Sequence, residues 1–306
     1  MACIAVFGAG YAASTPAGGR AILAWFDRDR GFAMGIRQTG VPVGGLFGAL
    51  TLPFVAHAVG YRGAFAFAAA IVAVTTLIAY IGYREQRDDA APATTLGSVT
   101  RGMRVLARDR RLIAVTLTCM VLVSAQAAMN AFLTVTGVAV VGTTAGVAAL
   151  AFACAQGAAA FGRLAWGYVS DRALHGERLI PFAAICVLAA LASAALALLH
   201  AGALATLFAA AIVLGLSAAG WNGLMAAAVS EIGGSERAAS ALGVALTAIF
   251  FASSAAPAGF GVLADHTSLR AAWLATAVLS MLGVAPVLWL YAQQGAAGRR
   301  DGSRGG

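Results

Sequence analysis

Residues 112–136 read LIAVTLTCMVLVSAQAAMNAFLTVT, a run without a single charged side chain. Crossing the hydrocarbon core of a bilayer takes about 20 mostly apolar residues in a helix, and this run exceeds that length. Eight further stretches do the same or nearly so, at 2–26, 32–54, 62–83, 144–168, 180–199, 203–230, 238–262 and 270–291. They are too long and too rich in Ala and Gly for barrel strands, which alternate over about ten residues. In lipid every backbone group must be satisfied within the protein, which leaves helices. The expectation is an all-α polytopic membrane protein of about nine transmembrane helices.

Composition agrees. The chain of 306 residues is 61% apolar and 10% charged, where soluble domains carry about a quarter charged residues. All 20 basic side chains are arginine. The net charge of +8 raises nucleic acid as a partner, but the arginines form no stripe with interleaved aromatics, so none is expected. They lie instead between the apolar runs. With the N-terminus outside, the cytoplasmic connections and tail hold fifteen arginines and the external connections only Arg62 and Arg270. The positive-inside rule therefore predicts a cytoplasmic C-terminus in a bacterial inner membrane. Cys3, Cys119, Cys154 and Cys186 are scattered in apolar sequence, the histidines fall at ends and loops, and no CxxC or Cys/His cluster occurs. Metal sites, cofactors and a disulfide framework are not expected. The N-terminus lacks the basic region of a signal peptide.

The polar segment 84–111, with Pro92 and a Thr/Ser run, divides the helices into residues 1–83 and residues 112–292, followed by a tail at 293–306. A repeat supports the division. Arg30-Gly-Phe-Ala-Met-Gly35 opens one span and Arg237-Ala-Ala-Ser-Ala-Leu-Gly243 another; at equal intervals follow Arg62-Gly-Ala-Phe and Arg270-Ala-Ala-Trp. The repeat pairs the first three spans with the last three and leaves the middle three without counterparts. Two equal halves would require three more helices before Met1.

Gly162-Arg-Leu-Ala-Trp-Gly167-Tyr-Val-Ser-Asp171-Arg172, followed by Gly176-Glu-Arg178, resembles the signature loop of the major facilitator superfamily. The resemblance implies a 3+6 arrangement, family helices four to twelve. Gly31, Gly40, Gly44 and Gly48 resemble the glycine-rich fifth-helix pattern of antiporters, with the departure that Gly45 stands where that pattern has Pro. Trp25-Phe26 with Arg28-Asp-Arg30-Gly31 resembles organic-anion transporters of the superfamily. What this implies is secondary transport by alternating access, as symporter or antiporter, with a small organic solute as partner.

Three groups of residues are candidates for function. Gly167, Asp171 and Arg172 form a candidate conformational latch: Gly167 would allow close backbone approach, and Asp171 would meet the N-terminus of the span at 238–262, where a carboxylate gains about 0.3–1 kcal/mol. Arg20 and Arg37 lie within apolar spans, where an ionisable side chain is costly. They would bind an anion through paired hydrogen bonds, or else snorkel to the interface. Gln126, Asn130, Gln156, Trp221 and Asn222 would line a polar cavity or join helices by hydrogen bonds. Arg163 is expected to snorkel. Gly40, Gly44 and Gly48 are expected to form a ridge for close packing. No mid-membrane carboxylate is present to carry a proton; if a coupling ion uses one, it is expected in the helices before Met1. No Asp pair, Ser/His couple or ligand cluster supports an enzyme. A non-transporting sensor or a degenerate fragment remains the alternative.

Overall fold

The computed structural model describes residues 30–82 and 108–302, and every regular element among them is helical. The predicted span at 2–26, most of the linker at 84–111, and Arg20 lie outside the described residues. Helix α1 (Arg30–Gly82) holds the spans predicted at 32–54 and 62–83, divided at Gly60, whose φ of 75° and ψ of 171° lie outside helical space. Seven stretches among the described residues are long and apolar enough to cross a bilayer, α1 contributing one of 47 residues, Ile36–Gly82.

Helix α2 (Arg110–Thr136) starts at Asp109, whose carboxylate accepts from the backbone N–H groups of Arg111 (2.8 Å) and Leu112 (3.3 Å). Such a cap is worth about 0.5–2 kcal/mol. Asp109→Ala is accordingly expected to lower the stability of the bundle by about 1 kcal/mol, read as a small drop in the thermal midpoint of the purified protein. An unchanged midpoint would mean that solvent replaces the carboxylate. The helix continues through a wider turn, Gly137–Val141, and stops at Gly142 with a φ of 76°. Thr144 then caps α3 (Ala145–Tyr168), which runs on through another wide turn, Val169–Ala173. Next come α4 (Leu179–Ala197) and α5 (Leu204–Ala218). Helix α6 (Asn222–His266) is interrupted at Gly234, φ 66°. Ser268 caps α7 (Leu269–Leu282), and α8 (Val284–Gly302) follows. The spans predicted at 203–230 and 270–291 are thus each broken in two. The second break ends at Gly283, whose carbonyl accepts from the buried Thr118 hydroxyl of α2 at 3.0 Å.

The core lies within the bundle α2–α8, where Cys119, Leu122, Met129, Phe182, Leu214 and Trp273 are fully buried. Small residues set its closest seam. A Cβ at Gly215 of α5 would collide with the Ala155 backbone of α3, and one at Gly162 of α3 would stand 2.5 Å from the Leu216 carbonyl oxygen of α5. Large side chains lock the bundle elsewhere. Phe132 stacks on Phe260 at 4.4 Å, Phe260 meets Trp273 edge-on at 5.0 Å, and the Trp273 indole donates to the Thr136 hydroxyl at 2.9 Å. One cluster thereby joins α2, α6 and α7.

Helix α1 packs mainly against α3, while Phe54, Phe65 and Tyr80 are exposed. The predicted ridge is not where it was expected. Among the described residues nothing lies within 4 Å of a Cβ at Gly40 or Gly44, and Gly48 meets only Leu52 of its own helix. It is Gly45 that lies under a neighbour, the Gln156 side chain of α3. One residue of offset turns a helix by about 100°, so among the described residues the neighbour of α1 lies over Gly45 and not over the face of Gly40, Gly44 and Gly48.

Candidate functional site

The break between α5 and α6, at Ala219-Gly220-Trp221, falls inside an apolar stretch. The end of a helix leaves its last carbonyls without intrahelical donors, and at membrane depth these need partners within the protein. All four are accounted for. Leu216 O accepts from the Trp166 indole at 2.9 Å, and Ser217 O from the Gly220 N–H at 3.0 Å. Ala218 O accepts from the Trp221 indole at 2.8 Å. Ala219 O accepts from Arg163 Nε at 3.1 Å and from the Asn222 amide at 3.3 Å. Gly162 and Gly220 make room, because a Cβ at Gly220 would run into Leu216 O and approach Gly162.

Arg163 does not snorkel. It is 5% exposed, and its Nη1 donates to the Gln38 carbonyl of α1. The Ala219 carbonyl freed by the break, together with the Gln38 carbonyl, holds the guanidinium inside the bundle. Gly162-Arg163-x-x-Trp166 therefore clasps the broken helix from α3, a role the sequence does not display because the break itself leaves no proline or charge to mark it.

The other end of the signature stretch holds a second cluster. Arg178 donates to the Asp171 carboxylate, to Ser170 Oγ at 2.8 Å and, through Nη2, to Glu231 Oε1 at 2.7 Å. Glu231, accepting from Arg178 Nε and Nη2, raises the Arg178 pKa above its ordinary value, against the opposing effect of burial, and Asp171 adds to the rise. The guanidinium stays charged at any accessible pH. Both acids are more than half exposed, so each pair is worth about 1 kcal/mol or less. The expected partner of Asp171 was the N-terminus of the span at 238–262; its partner is Arg178, which joins it to Glu231 in the first part of α6. Arg172 is exposed, and among the described residues nothing lies within 4 Å of a Cβ at Gly167. The close approach belongs to Gly162, where the facing helix is broken. A cavity of about 230 Å³ opens beside this cluster, lined by Arg111, Glu177, Arg178, Glu231 and Leu290.

The remaining candidates are dispersed. Trp221 is buried among the bundle helices, and Asn222 bonds to the break itself. Gln156 is buried at the contact with α1. Gln126 is half-buried and Asn130 exposed, one turn apart on α2. Arg37 is half-buried and not without a partner. The structure thus brings Trp221 and Asn222 together with Arg163, and leaves Gln126 and Asn130 on a separate face.

Residues 1–257 match the family model of the Major Facilitator Superfamily. The uncharacterized MFS-type transporters MT3072 and Rv2994 of Mycobacterium tuberculosis (strains CDC 1551 / Oshkosh and ATCC 25618 / H37Rv) are 29% and 28% identical over 273 residues, 88% of this chain. The chain spans 59% of the length of these relatives. Crystal structures of a bacterial homolog to the human lysosomal transporter Spinster, inward-facing and either unoccupied or occupied, superpose with a TM-score of 0.63 at 17% identity. They cover 89% and 90% of this chain, and 73% of the Spinster homolog's chain is matched. At that identity the likeness is one of fold.

Proposed function

Because the chain belongs to the Major Facilitator Superfamily, we propose that it serves secondary transport, carrying a small organic anion across the bacterial inner membrane by alternating access. The C-terminus lies in the cytoplasm in this reading. The observation that carries it is the face of α2 bearing Gln126 and Asn130. An exposed asparagine with a second amide one turn away, midway along an apolar span, is unstable against lipid and suits a solute pathway. Arg20 and Arg37, cationic side chains within apolar spans and able to bind a carboxylate through paired hydrogen bonds, favour an anionic solute.

The test is counterflow in proteoliposomes containing this chain, across a panel of mono- and dicarboxylates. Saturable exchange is expected for at least one of them. Asn130→Leu should then lower it by about tenfold or more, because a hydrogen bond to a charged group contributes about 1.5–3 kcal/mol. Arg37→Gln should selectively impair the anion while leaving expression intact. Saturable exchange that neither substitution alters would remove these residues from the pathway. Binding without exchange would favour a sensor.

A further inference from the structure

The first part of α6, residues 222–233, lies between two joints, the break at Ala219-Gly220-Trp221 and the left-handed Gly234. It is roughly 18 Å long at about 1.5 Å per residue. Both of its ends are held by one stretch of sequence. At the inner end Trp166 and Arg163 donate to Leu216 O and Ala219 O. The Arg163 backbone itself comes close, its carbonyl oxygen 3.3 Å from where a Cβ of Gly223 would stand. At the outer end Glu231 is bound by Arg178, which also binds Asp171.

We propose that residues 222–233 form a lever splinted to α3, which couples the Arg178–Glu231 ion pair at one end to the Arg163–Gln38 contact with α1 at the other. A helix of three turns jointed at both ends moves as one piece, since its internal hydrogen bonds are stronger than either joint. Releasing the exposed ion pair therefore loosens the buried clasp, and with it the link to α1. Arg163 and Trp166 act as positioning residues in this device. The lever gives the transport reading a means of signalling between the two groups of helices, but its existence is independent of any solute.

Hydrogen–deuterium exchange of the full chain in lipid nanodiscs, without added solute, reads it directly. Arg178→Gln is expected to raise exchange not only at 229–234 but also at 219–223, by up to about fivefold, the most that an exposed ion pair of about 1 kcal/mol can transmit. Arg163→Gln should raise it at the far end, 229–234, as well as at the break. The buried helix α4 serves as the reference for folding. If Arg163→Gln also exposes α4, then Trp166→Phe, which removes one donor and keeps an aromatic ring, decides the matter by the same far-end readout. Exchange that rises only next to each substituted residue, or not at all, overturns the lever while leaving the counterflow result unaffected.

Discussion

Replacing Gly215 with valine is expected to unseat α5 from α3 and destabilise the bundle by about 3 kcal/mol or more, at the upper end of overpacking penalties. The new Cβ would meet the Ala155 carbonyl group and its Cα, which are backbone atoms. No rotamer change relieves such a clash, so the helices must separate along the seam, and Gly162 loses its fit against Leu216 with them. Thermal unfolding followed by tryptophan fluorescence should show a large drop for this variant. Gly243→Ala is the control, because among the described residues nothing lies within 4 Å of a Cβ there. Alanine in a helix is favoured over glycine by up to about 1 kcal/mol, so that control should be neutral or slightly stabilised. Equal midpoints for the two variants would refute the seam.

The second large effect is expected at Trp273. Trp273→Ala removes the indole that meets Phe260 edge-on and donates to Thr136, and should cost about 3–5 kcal/mol, the range for truncating a large core side chain. Lipid is no substitute, since the ring is fully buried. Trp273→Phe keeps most of the packing and loses the hydrogen bond to Thr136, a loss of about 1 kcal/mol. If the two variants unfold alike, the hydrogen bond and not the packing holds α2, α6 and α7 together.

Much of the fold is legible from the spacing of apolar runs, because a bilayer demands a minimum length and helices meet it in one way. The spans predicted at 112–136, 144–168 and 180–199 correspond to α2, α3 and α4. The breaks at 219–221 and Gly283 are not legible. Both sit within continuous apolar sequence, and part of what stabilises them comes from other helices: Arg163 and Trp166 in one case, beside the local donors Gly220, Trp221 and Asn222, and Thr118 in the other. The same holds for the signature stretch. Its glycines and charges mark it as special, yet which glycine is close-packed depends on where the facing helix is broken. Asp171 is functional-looking in isolation, but Arg178, seven residues on, is the side chain that gathers Asp171 and Glu231. Register around α1 escaped as well, since Gly44 and Gly45 differ only in which neighbour lies above them.

The contrast between the glycine seam and the exposed surface of α1 has a practical consequence for purification. Helices held by backbone contact and van der Waals packing draw nothing from the solvent around them, so α3 and α5 should stay joined when detergent replaces lipid. Helix α1, with Phe54, Phe65 and Tyr80 facing outward, depends on whatever amphiphile surrounds it. A harsh, short-chain detergent should detach α1 while the bundle α2–α8 stays intact, and the order of loss during solubilisation would follow the chemistry of each contact surface.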